Sequence, residues 1–107
     1  MIDWNSVWKL TLLASRQGSL ENGYDKEEAA ERYDRSEIVR QDGERRAAAL
    51  EIDPSWSVLD IGAGPGTLAL PLARRVRQVT AVEPSLAMVK RLEMHIAEEG
   101  ISNIRIL

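Results

Sequence analysis

The chain contains no cysteine and no phenylalanine, and it has a single histidine. Without cysteine there is neither a disulfide framework nor a thiolate metal site, and the lone His95 cannot hold a metal by itself. No apolar run approaches the roughly 20 residues that span a bilayer. Asp3, Trp4 and Asn5 stand where a secretory leader would carry a basic region followed by an apolar one. A protein of the cytoplasm, with no membrane contact, is the expectation. Basic residues are not in excess either: 14 Lys and Arg face 17 Asp and Glu, for a formal charge of -3. With a pI near 5.2, the chain as a whole offers no attraction to a phosphate backbone, so a small-molecule partner is expected ahead of nucleic acid.

What is present is an ordinary globular mixture, 44% hydrophobic and 29% charged, able to form a modest core. Its 107 residues are few for an open α/β sheet with helices on both faces, so an incomplete domain is expected. Residues 1–53 read as helical. Trp4, Trp8 and Leu12 recur at helical spacing, and the segment from Gly18 to Gly23 breaks that pattern. Asp25 with Glu28 resembles a capping box for a second helix through Tyr33. A third helix is predicted from near Ser36 to Leu50, with Gly43 as its weak point. The turn at Asp53-Pro54 separates this prelude from residues 54–107.

From Trp56 the pattern alternates between strand and helix. Ser57 to Ile61 is short and nearly all apolar, which suits a parallel strand covered on both faces. A helix with Thr67 as its N-cap carries Leu68, Ala69, Leu72, Ala73 and Val76, with Arg74, Arg75 and Arg77 as a solvated basic end. Gln78 to Glu83 is the second strand. A longer helix follows Pro84 and Ser85 and stops at Gly100, and Asn103 to Leu107 begins a third strand. His95, on that longer helix, reads as a surface or boundary side chain with no catalytic role.

The chemistry concentrates where the first strand meets its helix. Gly62 and Gly64 let the backbone turn tightly and approach a ligand, and the helix after them aims unpaired N–H groups at the same place. Asp60 stands at the carboxyl end of the first strand, where ligands bind in open α/β sheets; a carboxylate there suits a cationic amine. Glu83 ends the neighbouring strand, placed to accept hydrogen bonds from both hydroxyls of a ribose. Strand, acid, glycine turn, helix, strand and acid in this order point to a nucleoside-bearing ligand.

Val58 to Gly66 and Val79 to Met88 resemble the first two motifs of the class I S-adenosylmethionine-dependent methyltransferases. The resemblance implies a Rossmann-like fold, here its first strands in the order 3-2-1, with S-adenosylmethionine as cofactor. It further implies that the backbone from Gly62 through Ala63 and Gly64 to Pro65 lies against the cofactor's methionine part and that Asp60 holds its ammonium. By the same carry-over Glu83 takes the ribose, Pro84, Ser85 and Met88 flank the adenine, and Tyr24 or Tyr33 closes the pocket from a helical lid. Catalytic residues and the methyl acceptor do not follow from these motifs, and 107 residues alone are expected to be inactive. Two other readings stay open: an NAD- or FAD-binding domain, although Thr67 stands where that fingerprint has its third glycine, and a non-catalytic nucleoside-binding module. In the family's strand order the first strand lies at the sheet centre, so its free edge here is expected to draw a second copy of the chain.

Overall fold

A computed structural model of the chain describes residues 26–107. The predicted Trp4 to Leu12 helix, the break at Gly18 to Gly23, Asp25 and Tyr24 lie outside the described residues. The elements are α1 (Glu27–Asp34), α2 (Glu37–Ala49), β1 (Ser57–Ile61), α3 (Ala69–Ala73), β2 (Gln78–Val82), α4 (Leu86–Glu99) and β3 (Ile104–Ile106). The strands form one parallel sheet in the order β1-β2-β3. Val58 stands opposite Val79, and Val79 opposite Ile104.

Capping residues set several boundaries. The Ser36 hydroxyl accepts from the Val39 amide to start α2, and that of Ser85 accepts from the Met88 amide to start α4. Gly100, left-handed at φ 65°, ends α4 as the sequence indicates. α1 differs from expectation: its N-cap is Lys26, which makes no side-chain cap.

α3 is shorter than the apolar spacing implies. Its N-cap is Leu68 rather than Thr67, and it ends at Ala73, because residues 64–68 are consumed by turns around Gly64 and Gly66. Pro71 is accommodated as its third residue, where a missing N–H is least felt.

Strand burial alternates instead of being continuous. Val58 and Asp60 are buried, Leu59 is half-buried and Ile61 exposed, so among the described residues one face of β1 is covered. The cause is topological. Two right-handed crossovers running in one direction along the sheet place α3 and α4 on the same side. On that side Ala47 of α2 joins Val58, Leu72, Val76 and Val79 in one core, while Ala63, Ala81 and Leu92 form a second beside it. α1 packs on α4 through Ala30, Ala87 and Met88, with Tyr33 against them.

The basic cluster after α3 is exposed, as expected of a solvated end, and each arginine in it also has a partner. Arg75 caps the C-terminal carbonyls of α2, donating to Ala47 O and Leu50 O, the second at 3.1 Å. Arg74 bridges Glu44 and Glu99, and Arg77 donates to Ser57 Oγ.

Candidate cofactor site

The parallel register brings the ends of β1 and β2 side by side, with Asp60 opposite Ala81 and Ile61 opposite Val82. The glycine loop is tied to the end of β2: the Gly62 and Ala63 amides both donate to Val82 O, at 2.7 and 3.1 Å. Gly62, Gly64 and Gly66 adopt φ of 78°, 59° and 96°, values that L side chains rarely take. Their surroundings differ. A Cβ on Gly62 or Gly64 would meet nothing within 4 Å, whereas one on Gly66 would come within 2.7 Å of Leu92 and 2.8 Å of Leu70. The first two glycines face open space at the strand ends; the third lets α4 close onto the loop.

Glu83 turns toward that loop. One carboxylate oxygen accepts from the Gly64 amide at 2.9 Å and the other from the Ser85 amide at 2.8 Å. These bonds fix the orientation of the carboxylate while leaving each oxygen acceptor capacity, since a carboxylate oxygen has two lone pairs. Asp60 is the other acid. It is 2% exposed, and its Oδ2 is a buried polar atom with no hydrogen-bond partner. Desolvation, and secondarily the charge of Glu83, push its carboxyl up from 3.8 to about 6. A buried carboxylate without a partner is costly unless a ligand satisfies it. An ammonium would answer both the orphaned oxygen and the local excess of negative charge, so the donor set fits a nucleoside that carries an amino-acid tail.

The remaining expected residues divide. Ala63, Pro65 and Ser85 are buried in or beside the loops, Gly64 is half-buried, and Gly62 and Pro84 are exposed at the mouth. Met88 is 3% exposed and packs beneath Ala30, with Tyr33 in the same cluster, so α1 already occupies that side of it. The expected row of free amides at the start of α3 is reduced, since that helix has five residues and begins at Ala69.

Sequence reading missed Asp34. It is buried at the end of α1, where Arg91 Nε donates to it at 2.7 Å and His95 Nε2 lies 2.7 Å from one of its oxygens. Arg91 and His95 are spaced i, i+4 on α4, a pairing visible in the sequence; their partner, 57 and 61 residues away, is not. A cavity of about 280 Å³ opens beside this cluster, between α2, α3 and α4. Pro65, Gly66 and Thr67 wall it, whereas Asp60, Gly62, Gly64 and Glu83 do not, so it lies behind the loop and apart from the strand-end cradle. Among the described residues there is no cluster of metal-ligating side chains, and no helix is long and apolar enough to cross a membrane.

Comparison with known proteins agrees with this geometry. Residues 58–107 match a family described as a methyltransferase domain. The 23S rRNA (uracil(1939)-C(5))-methyltransferase RlmD of Aeromonas hydrophila is 44% identical over 62 residues, which is 58% of this chain and 14% of that protein. A Methanosphaera stadtmanae protein assigned as ribosomal RNA small subunit methyltransferase A is 39% identical over 57 residues, 53% of this chain and 21% of the relative. The chain thus spans about a seventh to a fifth of the length of these relatives. Among solved structures, a Methanococcus maripaludis protein assigned to the S-adenosyl-L-methionine-dependent methyltransferases superposes with a TM-score of 0.63 at 22% identity, over 84% of this chain and 44% of the other. The YcgJ protein of Bacillus subtilis is 28% identical at a TM-score of 0.53, covering 67% and 30%. Relatives named for ribosomal RNA run against the expectation, drawn from net charge, that a small-molecule partner comes ahead of nucleic acid. Residues 58–107 are thus similar to a methyltransferase domain, and the described sheet has the first strands of the fold seen in these solved structures.

Proposed function

We propose that this chain is the cofactor-binding part of a methyltransferase that passes a methyl group from S-adenosylmethionine to an acceptor. The observation that carries the reading is Glu83, held across the strand ends by the Gly64 amide, with the unpartnered Oδ2 of Asp60 in the neighbouring strand. In this reading Glu83 accepts from the ribose hydroxyls and Asp60 faces the ammonium. The Gly62 to Pro65 backbone lies along the methionine part, and Pro84, Ser85 and Met88 border the adenine. When bound, the cofactor supplies an electrophilic methyl on a sulfonium. What these residues contribute is position, which is most of what an in-line methyl transfer asks of a protein.

Of the segment 1–53, α1 acts as a cover over the unit formed by residues 54–107, with Tyr33 on its rim beside Ala87 and Met88. The names of the relatives favour ribosomal RNA as acceptor over a small molecule. The charge of the part that binds the cofactor says little about the surface that meets the acceptor. The protein works in the cytoplasm, and the free edge of β1 takes a second copy of the chain.

Calorimetric titration with S-adenosylhomocysteine and, in parallel, NAD tests the cofactor. Heat with the first and none with the second is expected; the reverse would assign a dinucleotide site. Glu83→Ala removes charge-assisted hydrogen bonds of about 1.5–3 kcal/mol each, so affinity should fall at least roughly tenfold. Glu83→Gln keeps one acceptor and should fall between. Equal affinity in all three proteins would remove the ribose role.

A further inference from the structure

We propose that, on the acid side of neutrality, cofactor loading is an exchange of cations at Asp60: there the ligand-free carboxyl carries a proton, and the donor's ammonium takes the proton's place. The inference rests on the methyl-donor reading above. Its structural basis is independent of that reading. Asp60 is 2% exposed, its Oδ2 has no hydrogen-bond partner, and no Lys, Arg or His pairs with it among the described residues. The charged group whose field reaches it is Glu83, which is itself an acid and is fixed in place by the Gly64 and Ser85 amides. Two acids stand at the ends of adjacent strands with no cation between them among the described residues, an arrangement that favours one proton on the more deeply buried of the pair.

A protonated Asp60 presents a neutral O–H to the cradle. A cationic amine arriving there lowers the carboxyl's proton affinity, so the O–H bond breaks and the proton leaves to solvent. Charge balances: one proton departs as one positive ligand group arrives. The sign of the pH dependence follows. Burial and Glu83 raise the ligand-free carboxyl to about 6, and an adjacent ammonium brings it down. Binding therefore strengthens as pH rises toward 6 and levels off above it. Between pH 5 and 7 the ligand's ammonium stays charged, so the change belongs to the protein.

Two measurements on the whole chain test this. Carbon-detected NMR titration of the Asp60 carboxyl, without ligand, should show a midpoint near 6; a midpoint in the ordinary aspartate range would overturn the proposal. Titration with S-adenosylhomocysteine in buffers of different ionisation enthalpy should release about half a proton per ligand at pH 6 and nearly none at pH 8. Affinity should be about tenfold weaker at pH 5 than at pH 7. Asp60→Asn, which keeps the shape and removes the titration, should abolish both the proton release and the pH slope. Tight binding with no proton release overturns the exchange and leaves the methyl-donor reading standing. Absence of binding at every pH, with the NMR midpoint near 6, overturns the methyl-donor reading and the exchange together.

Discussion

Asp60 illustrates how a residue can oppose the fold it belongs to. Its carboxyl holds a proton more firmly in the folded chain than in the unfolded one, about 6 against 3.8. That bound proton stabilises the fold fully below the unfolded value, and the contribution is lost as pH rises through the folded one. At about 1.4 kcal/mol per unit, ionising it costs the ligand-free chain about 3 kcal/mol by pH 8. Asp60→Asn should therefore raise the denaturant midpoint of the ligand-free chain at pH 8 and flatten its change between pH 5 and 8. An unchanged profile would mean that water already solvates this carboxyl. On the proposed cofactor reading, ligand binding and stability then pull apart at one side chain. Asp60 and Glu83 were legible in the sequence because each sits next to a local signal, a strand end followed by a turn. Asp34 was not, because what identifies it is contact with Arg91 and His95 across two helices.

Among the elements, α2 carries the sharpest conflict between local preference and packing. Gly43 lies in the interior of a 13-residue helix, where alanine is favoured by about 1 kcal/mol. Yet a Cβ there would run into the carbonyl oxygen of Thr67 and come within 2.6 Å of its Cγ2. The obstacle is backbone, which cannot turn aside as a side-chain tip would, and overpacking of this kind costs about 1–3 kcal/mol. Packing wins over propensity. Gly43→Ala should lower thermal stability, and the shift should reach the adjoining Gly64–Gly66 turn as faster amide exchange there. A stabilised variant would show that Thr67 yields freely. The sequence marked Gly43 as a flaw in the helix, whereas the fold uses it as a seat for the loop. Ser36, Ser85 and Gly100 were read correctly because caps act within four residues. The short α3 was misjudged because apolar spacing continued through residues that the glycine turns had already claimed.

At the scale of the molecule, β1 is the end strand of the described sheet, so one row of its backbone groups has no strand partner among the described residues. On the uncovered face Ile61 is 40% exposed. Edges of this kind recruit other strands. Sedimentation velocity should show self-association growing with concentration, and Leu59→Lys, which puts a charge on that face, should weaken it. A single monomeric boundary at every concentration would show the edge to be protected. Strand order came with the family resemblance, whereas the apolar run of β1 suggested cover on both faces and two right-handed crossovers in one direction put both helices on one. One last consequence follows from Arg75, which ties the end of α2 to the stretch after α3, and from Ala47, which lies in the same core as Val58 and Leu72. α2 is welded to the sheet, so the turn at Asp53-Pro54 cannot serve as a pivot. A displacement of α1 relative to α4 would have to bend at Arg35 and Ser36 and part the Asp34 carboxylate from Arg91 and His95.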